Sequence, residues 1–291
     1  MLADAWAAVL PTAHHVWHFL NSNFSAALWG ALVGALAARY IARHTEHRQR
    51  LRDEISGVNN AIALAVSITN TFVGMKRQHT LGMSKIYQGA FMEYVQVLQN
   101  PPNQPTLFEF ITDFRILQMP LTCIVELRQT ILEKVKSSIA AINISVSLHQ
   151  SIDSLGLVLA RYPQNVEQLR AMPDADRIIA YFRLRTPQGH IDTSYSDNVS
   201  AIFAYVDDGI YFPMLLCEVL TAHGNKLAKE YGKNPPSVKT IAYQEFEIPD
   251  LLPDRTFYPD FEKTYRSTPL PPKAKTFRQR MVARWYAIRP W

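Results

Sequence analysis

The chain has 291 residues, 48% of them hydrophobic, which is enough for a real core in one or two domains and excludes a disordered tail. Its formal charge of +5 is unevenly spread: residues 39–52 carry five arginines against Glu46 alone, residues 273–291 carry six basic residues and no acid, and the rest of the chain is acidic on balance. This distribution argues against a broad nucleic-acid-binding face, and Cys123 and Cys217, lacking CxxC spacing, read as small core residues without a zinc or redox role.

Residues 1–23 contain no Lys or Arg and a single acid, Asp4, with Trp6, Trp17, His14, His15 and His18 grouped around Pro11. Tryptophan favours the headgroup level of a membrane, so this reads as an interfacial segment. The three histidines have no carboxylate or thiol nearby in sequence to complete a metal-ligand set, and no metal is expected there.

Residues 24–42, FSAALWGALVGALAARYIA, are almost wholly apolar, with Arg39 the one charged residue. Nineteen residues at about 1.5 Å each cover roughly 28 Å, close to the hydrocarbon thickness of a bilayer, and Arg39 can reach the headgroups from the end of the run. The sequence therefore predicts one transmembrane helix. The arginines Arg39, Arg43, Arg48, Arg50 and Arg52 follow it, which predicts a bacterial inner-membrane protein with its N-terminus outside and the main domain cytoplasmic. A cleaved signal would carry its basic residues before the apolar core; a buried helix of a soluble protein is the remaining alternative. Ala26, Gly30, Gly34 and Ala38 fall at steps of four and form a small-residue stripe suited to close helix pairing, so a homo-oligomer is expected.

From Arg48 to about Lys76 the apolar residues Leu51, Ile55, Val58, Ile62, Ala65, Phe72 and Val73 recur at helical spacing and predict an inward continuation of the span. Its Asn, Ser and Thr content predicts hydrogen bonds to neighbouring helices. A second helix is expected over Leu81–Leu98, stopped by Asn100–Pro105, and a third over Leu107–Leu117, ending at Pro120. Leu121 to about Leu159 reads as one long helix, interrupted near Ser151, with shorter helices around Pro163 and Pro173. Thr186–Asp197 reads as a loop in which Ser194 or Ser196 caps a helix over Asp197–Tyr231, kinked at Pro213. After Gly232 the chain becomes proline-rich and is expected to be extended.

The last stretch sets Phe277, Met281, Trp285 and Ile288 in one sector of a helical wheel beside Arg278 and Arg280, with Arg284 nearby, the pattern of a helix lying on a membrane. Arg39, Arg43, Arg278, Arg280, Arg284 and Trp285 are the candidate membrane-binding residues, and anionic lipid is the expected partner.

The expected fold is all-α: an interfacial segment (1–23), a transmembrane helix (24–42), a cytoplasmic helical bundle (43–232), a proline-rich extended segment (233–272) and a basic amphipathic tail (273–291). One cluster has the residue types of an active site, His190 and Asp192 in the loop and Asp207 and Asp208 on the helix, with Glu218 and His223 further along. Asp207 and Glu218 lie eleven residues apart, about 16 Å along an ideal helix, too far for one metal to bridge. Capping and tying of the loop is the simpler role for these side chains. No nucleotide-binding, GxSxG, HExxH or paired CxxC motif occurs, so neither cofactor nor metal is expected.

Asn59–His79, NNAIALAVSITNTFVGMKRQH, and Gly189–Leu227, GHIDTSYSDNVSAIFAYVDDGIYFPMLLCEVLTAHGNKL, resemble uncharacterised bacterial proteins with one N-terminal span and a helical cytoplasmic domain. The resemblance implies architecture and a bacterial origin but no activity. The functional expectation is a membrane-anchored interaction protein, that is, a scaffold, sensor or tether with an unidentified protein partner. The alternatives are an oligomerising membrane effector and a membrane-tethered metal-dependent hydrolase.

Overall fold

The computed structural model describes residues 23–99, 112–135, 138–240 and 249–265, and these are helical with connecting segments. The helices are α1 (Asn23–Met75), which passes through a π-helical turn (Lys76–Thr80) into α2 (Leu81–Gln99), then α3 (Ile124–Lys134), α4 (Ile139–Ala171), α5 (Asp174–Tyr181), α6 (Ser194–Tyr231) and α7 (Pro259–Tyr265). Among the described residues the only extended pairing is an isolated bridge between Arg185 and Ile191. The all-α expectation therefore holds there. The interfacial segment, the Asn100–Pro105 stop and the basic tail lie outside the described residues.

The chain divides into two compact units. Among the described residues, one combines those up to Ser56 with Leu227–Ser237, and the other combines those of Gly57–Lys226 with those from Val238 onward.

In the second unit, α1 and α6 approach closely and run antiparallel. A Cβ added at Gly209 would lie 2.5 Å from the Phe72 ring, and one at Gly224 would lie 3.1 Å from Val58 and 2.8 Å from Val238. The absence of a side chain at Gly209 and Gly224 is what lets the two backbones come this near. Val58, Ile62, Ala65, Ile68 and Phe72 of α1, at steps of three and four, are buried together with Ile202, Val206, Ile210 and Leu220 of α6. The predicted stripe is thus the real core face of α1. Its hydroxyls, however, mostly serve their own helix: Thr69 donates to the Ala65 carbonyl at 3.0 Å and Thr71 to that of Ser67 at 3.0 Å. Asn59 is the exception, accepting from the Lys239 amide at 2.8 Å.

Several expected boundaries are corrected. Residues 112–117 are not helical. Arg115 folds back onto Asp113, its Nε donating at 2.9 Å, a local bond that competes with helix, and Pro120 disfavours helical backbone at Met119. The break in the long helix falls not at Ser151 but between Lys134 and Ile139, where the Ser138 hydroxyl accepts from the Ala141 amide and caps α4. α4 then runs through Pro163 to Ala171, because Tyr162, Val166 and Leu169 keep the buried stripe going across the missing amide bond.

Helix α6 begins at Ser194, three residues earlier than expected, and neither candidate serine caps it. Asp192 does, its Oδ1 accepting from the Ser194 amide at 2.9 Å, while the Ser196 hydroxyl donates to the Thr193 carbonyl at 3.1 Å. The proline-rich segment is not wholly extended: it contains short 3-10 turns at Pro249–Leu251 and Arg255–Phe257 and then α7.

Two helical runs, Ala27–Gln99 and Ser194–Tyr231, are long and apolar enough to cross a membrane. Their environments differ along their length. Every residue from Ala27 to His47 is exposed, whereas Gly209 to Cys217 of α6 are nine consecutive buried residues. Nine in a row cover the full circumference of a helix, so α6 is enclosed by protein at its centre. The most apolar window of the first run is itself half buried and so reaches beyond His47 into the core stripe.

Candidate functional site

The exposed apolar face begins with Leu28, Trp29, Leu32, Val33 and Leu36, all at least half exposed, and continues to Tyr40 and Ile41. Arg39 and Arg43 are exposed on the same run. Of the small-residue stripe, Gly30 and Gly34 have no atom within 4 Å of where a Cβ would stand.

The first arginine engaged elsewhere in this unit is Arg48. Its guanidinium carbon lies 4.3 Å from the Tyr231 ring centroid and its Nη2 donates to the Lys233 carbonyl at 3.0 Å. His47 Nε2 lies 3.5 Å from Glu230 Oε1, and Arg50 pairs with Glu46 one turn back.

The acidic candidates separate into two places. His190 and Asp192 belong to the turn before α6: the Thr186 amide donates to the His190 carbonyl at 2.8 Å, the His190 amide donates to the Thr186 hydroxyl at 3.1 Å, and Asp192 caps the helix. Asp207 lies thirteen residues beyond Ser194, about 20 Å along α6. The proposed quartet is therefore not one constellation.

Asp207 and Asp208 have other partners. Lys76, the first residue of the π-turn, pairs with Asp207. Asp208 accepts from the Ser151 hydroxyl of α4 at 2.8 Å and from the Tyr258 hydroxyl at 2.8 Å. The Tyr258 ring stacks on Tyr211 with centroids 3.7 Å apart and planes within 6°, and Phe261 meets Phe212 edge-on at 4.9 Å. The Tyr211 hydroxyl donates to Glu262 at 3.0 Å, and Arg255 lies 3.5 Å from Glu218. Residues 255–265 thus form a strap held on α6 by stacked rings and carboxylates.

Burial is the main cause of the electrostatic shifts here. It raises the Asp208 carboxyl above the ordinary carboxylate range, against the two hydroxyls that favour the anion. It raises Asp207 despite Lys76, and Glu218 despite Arg255. The Tyr258 and Tyr211 hydroxyls are pushed up by the same burial and by the carboxylates they bond. Chemically this is a protonated-hydroxyl-to-carboxylate network.

Among the described residues, no three His, Cys, Asp or Glu side chains are grouped so as to hold a metal. A second aromatic cluster joins α2 to the α5 and α6 ends: Tyr87, Tyr181, Phe182 and Tyr195 lie within 6.5 Å of one another's centroids in the pairs Tyr87–Tyr181, Tyr87–Phe182, Tyr87–Tyr195 and Tyr181–Tyr195. Burial pushes the Tyr87 hydroxyl up to about 12, so this ring stays neutral.

Sequence reading found Asp207 and Asp208 but missed Lys76, Ser151, Tyr211, Tyr258 and Glu262. The only signal for the strap was the concentration of aromatics in FYPDFEKTY (257–265), within a segment otherwise read as extended. No protein-family model, curated protein or solved structure matches the chain.

Proposed function

We propose that this is a single-span bacterial inner-membrane protein whose helical domain acts by interaction, as a scaffold, sensor or tether, with residues 24–42 in the bilayer and the domain in the cytoplasm. One observation carries the reading. From Ala27 to Ala42 every residue of an apolar helix is exposed, with Leu28, Trp29, Leu32, Val33 and Leu36 all at least half exposed in one unbroken run. Exposed leucine, valine and tryptophan in a continuous run are costly in water and at no cost in lipid.

The orientation follows from the arginines that succeed the run and their absence before it. The separation of His190 and Asp192 from Asp207 and Asp208 takes away the geometry that a metal-dependent hydrolase would need from these four residues. In their place stands a network that fixes the strap to α6.

The test is fractionation with topology. The full chain is expected to stay in the membrane pellet after alkaline carbonate, with a C-terminal tag protected from protease in spheroplasts and cut after lysis. A chain lacking residues 24–42 is expected in the soluble fraction. Extraction of the full chain by carbonate would refute the anchor, and cleavage of the tag in intact spheroplasts would refute the orientation.

A further inference from the structure

Beyond residue 42 the first helix meets the end of α6. Arg48 stacks on Tyr231 and donates to the Lys233 carbonyl, and His47 faces Glu230, so the last turn of α6 is held beside the first turns of α1 after the span. Arg48 is six residues past Ala42, about 9 Å at helical rise. The headgroup layer is about 5–8 Å deep on each side of the hydrocarbon, and the Debye length at physiological salt is about 8 Å. Residues at the level of Arg48 therefore sit at the outer edge of the headgroups and within reach of their charge.

The charges on either side of that level are basic: Arg43 lies five residues, about 7.5 Å, nearer the span, Arg39 about one turn further in, and Lys233 beside Arg48 itself. Arg39, Arg43, Lys229 and Lys233 are all exposed. The nearby acids are engaged: Glu46 with Arg50 and Glu230 with His47. Tyr40, 73% exposed, and Tyr231 supply the amphipathic rings that favour a membrane interface. Lys229 and Lys233 are nearly two hundred residues from Arg39 in sequence, so the combination is a product of the fold.

We propose that these two segments form one basic collar that binds the headgroups of anionic phospholipids, with Arg39 and Arg43 contributed by α1 and Lys229 and Lys233 by the end of α6. The inference rests on residues 24–42 being a span and adds the lipid class and a second contributing segment. An apolar face continuous with the collar selects lipid over a soluble polyanion, because only a bilayer covers both surfaces at once. The consequence is that anionic lipid ties α6 to the anchor and stabilises the pair.

The experiment uses the full chain in nanodiscs of phosphatidylcholine alone or with added phosphatidylglycerol, and reads the thermal midpoint at low and high salt. The midpoint is expected to rise by about 4 °C with phosphatidylglycerol at low salt and by much less at high salt, as screened collar contacts would require. The double variant Lys229→Gln, Lys233→Gln is expected to lose about half of that rise while keeping its midpoint in neutral discs, given that each basic residue contributes comparably. Arg48 contacts the Lys233 backbone carbonyl, so the substitution leaves that bond in place. Equal midpoints in the two lipids would overturn the inference, and a full rise in the double variant would remove α6 from the collar. A chain that does not enter discs at all would overturn the anchor itself, a result distinct from either.

Discussion

Two apolar helices in this chain meet opposite fates. Ala27 to Ala42 of α1 stands with every residue exposed, while Gly209 to Cys217 of α6 is buried on all sides. Composition does not separate them, since Trp29, Leu32 and Leu36 would suit a core as well as Tyr211, Phe212 and Leu215 do. Their neighbours do. The first is followed by arginines and has no close-approach contact at Gly30 or Gly34, whereas the second has glycines placed against Phe72 and Val58 and carboxylates placed against Lys76 and Ser151. The exposed run takes nothing from the rest of the chain, as the proposed anchor requires, whereas the core helix is matched to its neighbours position by position.

The sharpest way to break this contrast is to charge each helix. Leu216→Arg, at a position with no exposure, buries an unpaired guanidinium and is expected to unfold the helical domain, a loss of about 4 kcal/mol or more. Leu32→Arg, at a half-exposed position in the anchor, is expected to leave the domain's unfolding transition in place and reduce membrane retention instead. Circular dichroism and fractionation of the two variants decide it, and unfolding of both would erase the distinction.

The glycines give a smaller and cleaner comparison. Gly209→Ala places a Cβ 2.5 Å from the Phe72 ring and is expected to cost about 1–3 kcal/mol in a denaturant titration. Gly34→Ala meets no atom within 4 Å and is expected to be neutral or stabilising by up to about 1 kcal/mol. A loss at Gly34 as large as that at Gly209 would mean that the anchor helix is closely packed against something.

A third prediction concerns the strap. Burial holds Asp208 above its unfolded value, as it does Asp207 and Glu218, so the folded state binds these protons more readily than the unfolded chain. Their contribution is fully present below the ordinary carboxylate range and is lost as pH rises through the folded values. Amide exchange over residues 255–265, corrected for its intrinsic rate, is expected to slow as the buffer is taken from neutral pH down to the ordinary carboxylate range, and Asp208→Asn is expected to flatten that dependence. A flat profile in the unaltered chain would contradict it. The smallest effect is expected from Arg255→Ala, whose partner Glu218 is 39% exposed: a solvated pair of this kind contributes about 1 kcal/mol or less in a double-mutant cycle.

The parts of the fold that were legible in the sequence are those with a period. The continuation of α1 to Met75 and the buried face of α6 follow from apolar residues at steps of three and four, and the burial pattern repeats that spacing, while α2 was bounded by its proline-rich stop. The parts that were not legible depend on partners far away. Asp208 meets Ser151 across 57 residues and Tyr258 across 50, and Lys76 meets Asp207 across 131, separations that leave no local trace. Pro163 was misread for the same reason: a local rule against proline gave way to packing of Tyr162 and Val166 by distant residues.

The contact between Phe72 and the space left by Gly209 also sets an order of events during synthesis. Phe72 leaves the ribosome about 140 residues ahead of its counterpart, which at about 5–20 residues per second is a wait of roughly 7–30 s. On the proposed reading, residues 24–42 need no downstream residue and enter the bilayer in that interval. The apolar face from Val58 to Phe72 has no α6 to cover it until most of the chain has been made, so the core is completed last and, on the proposed reading, after the anchor has been inserted.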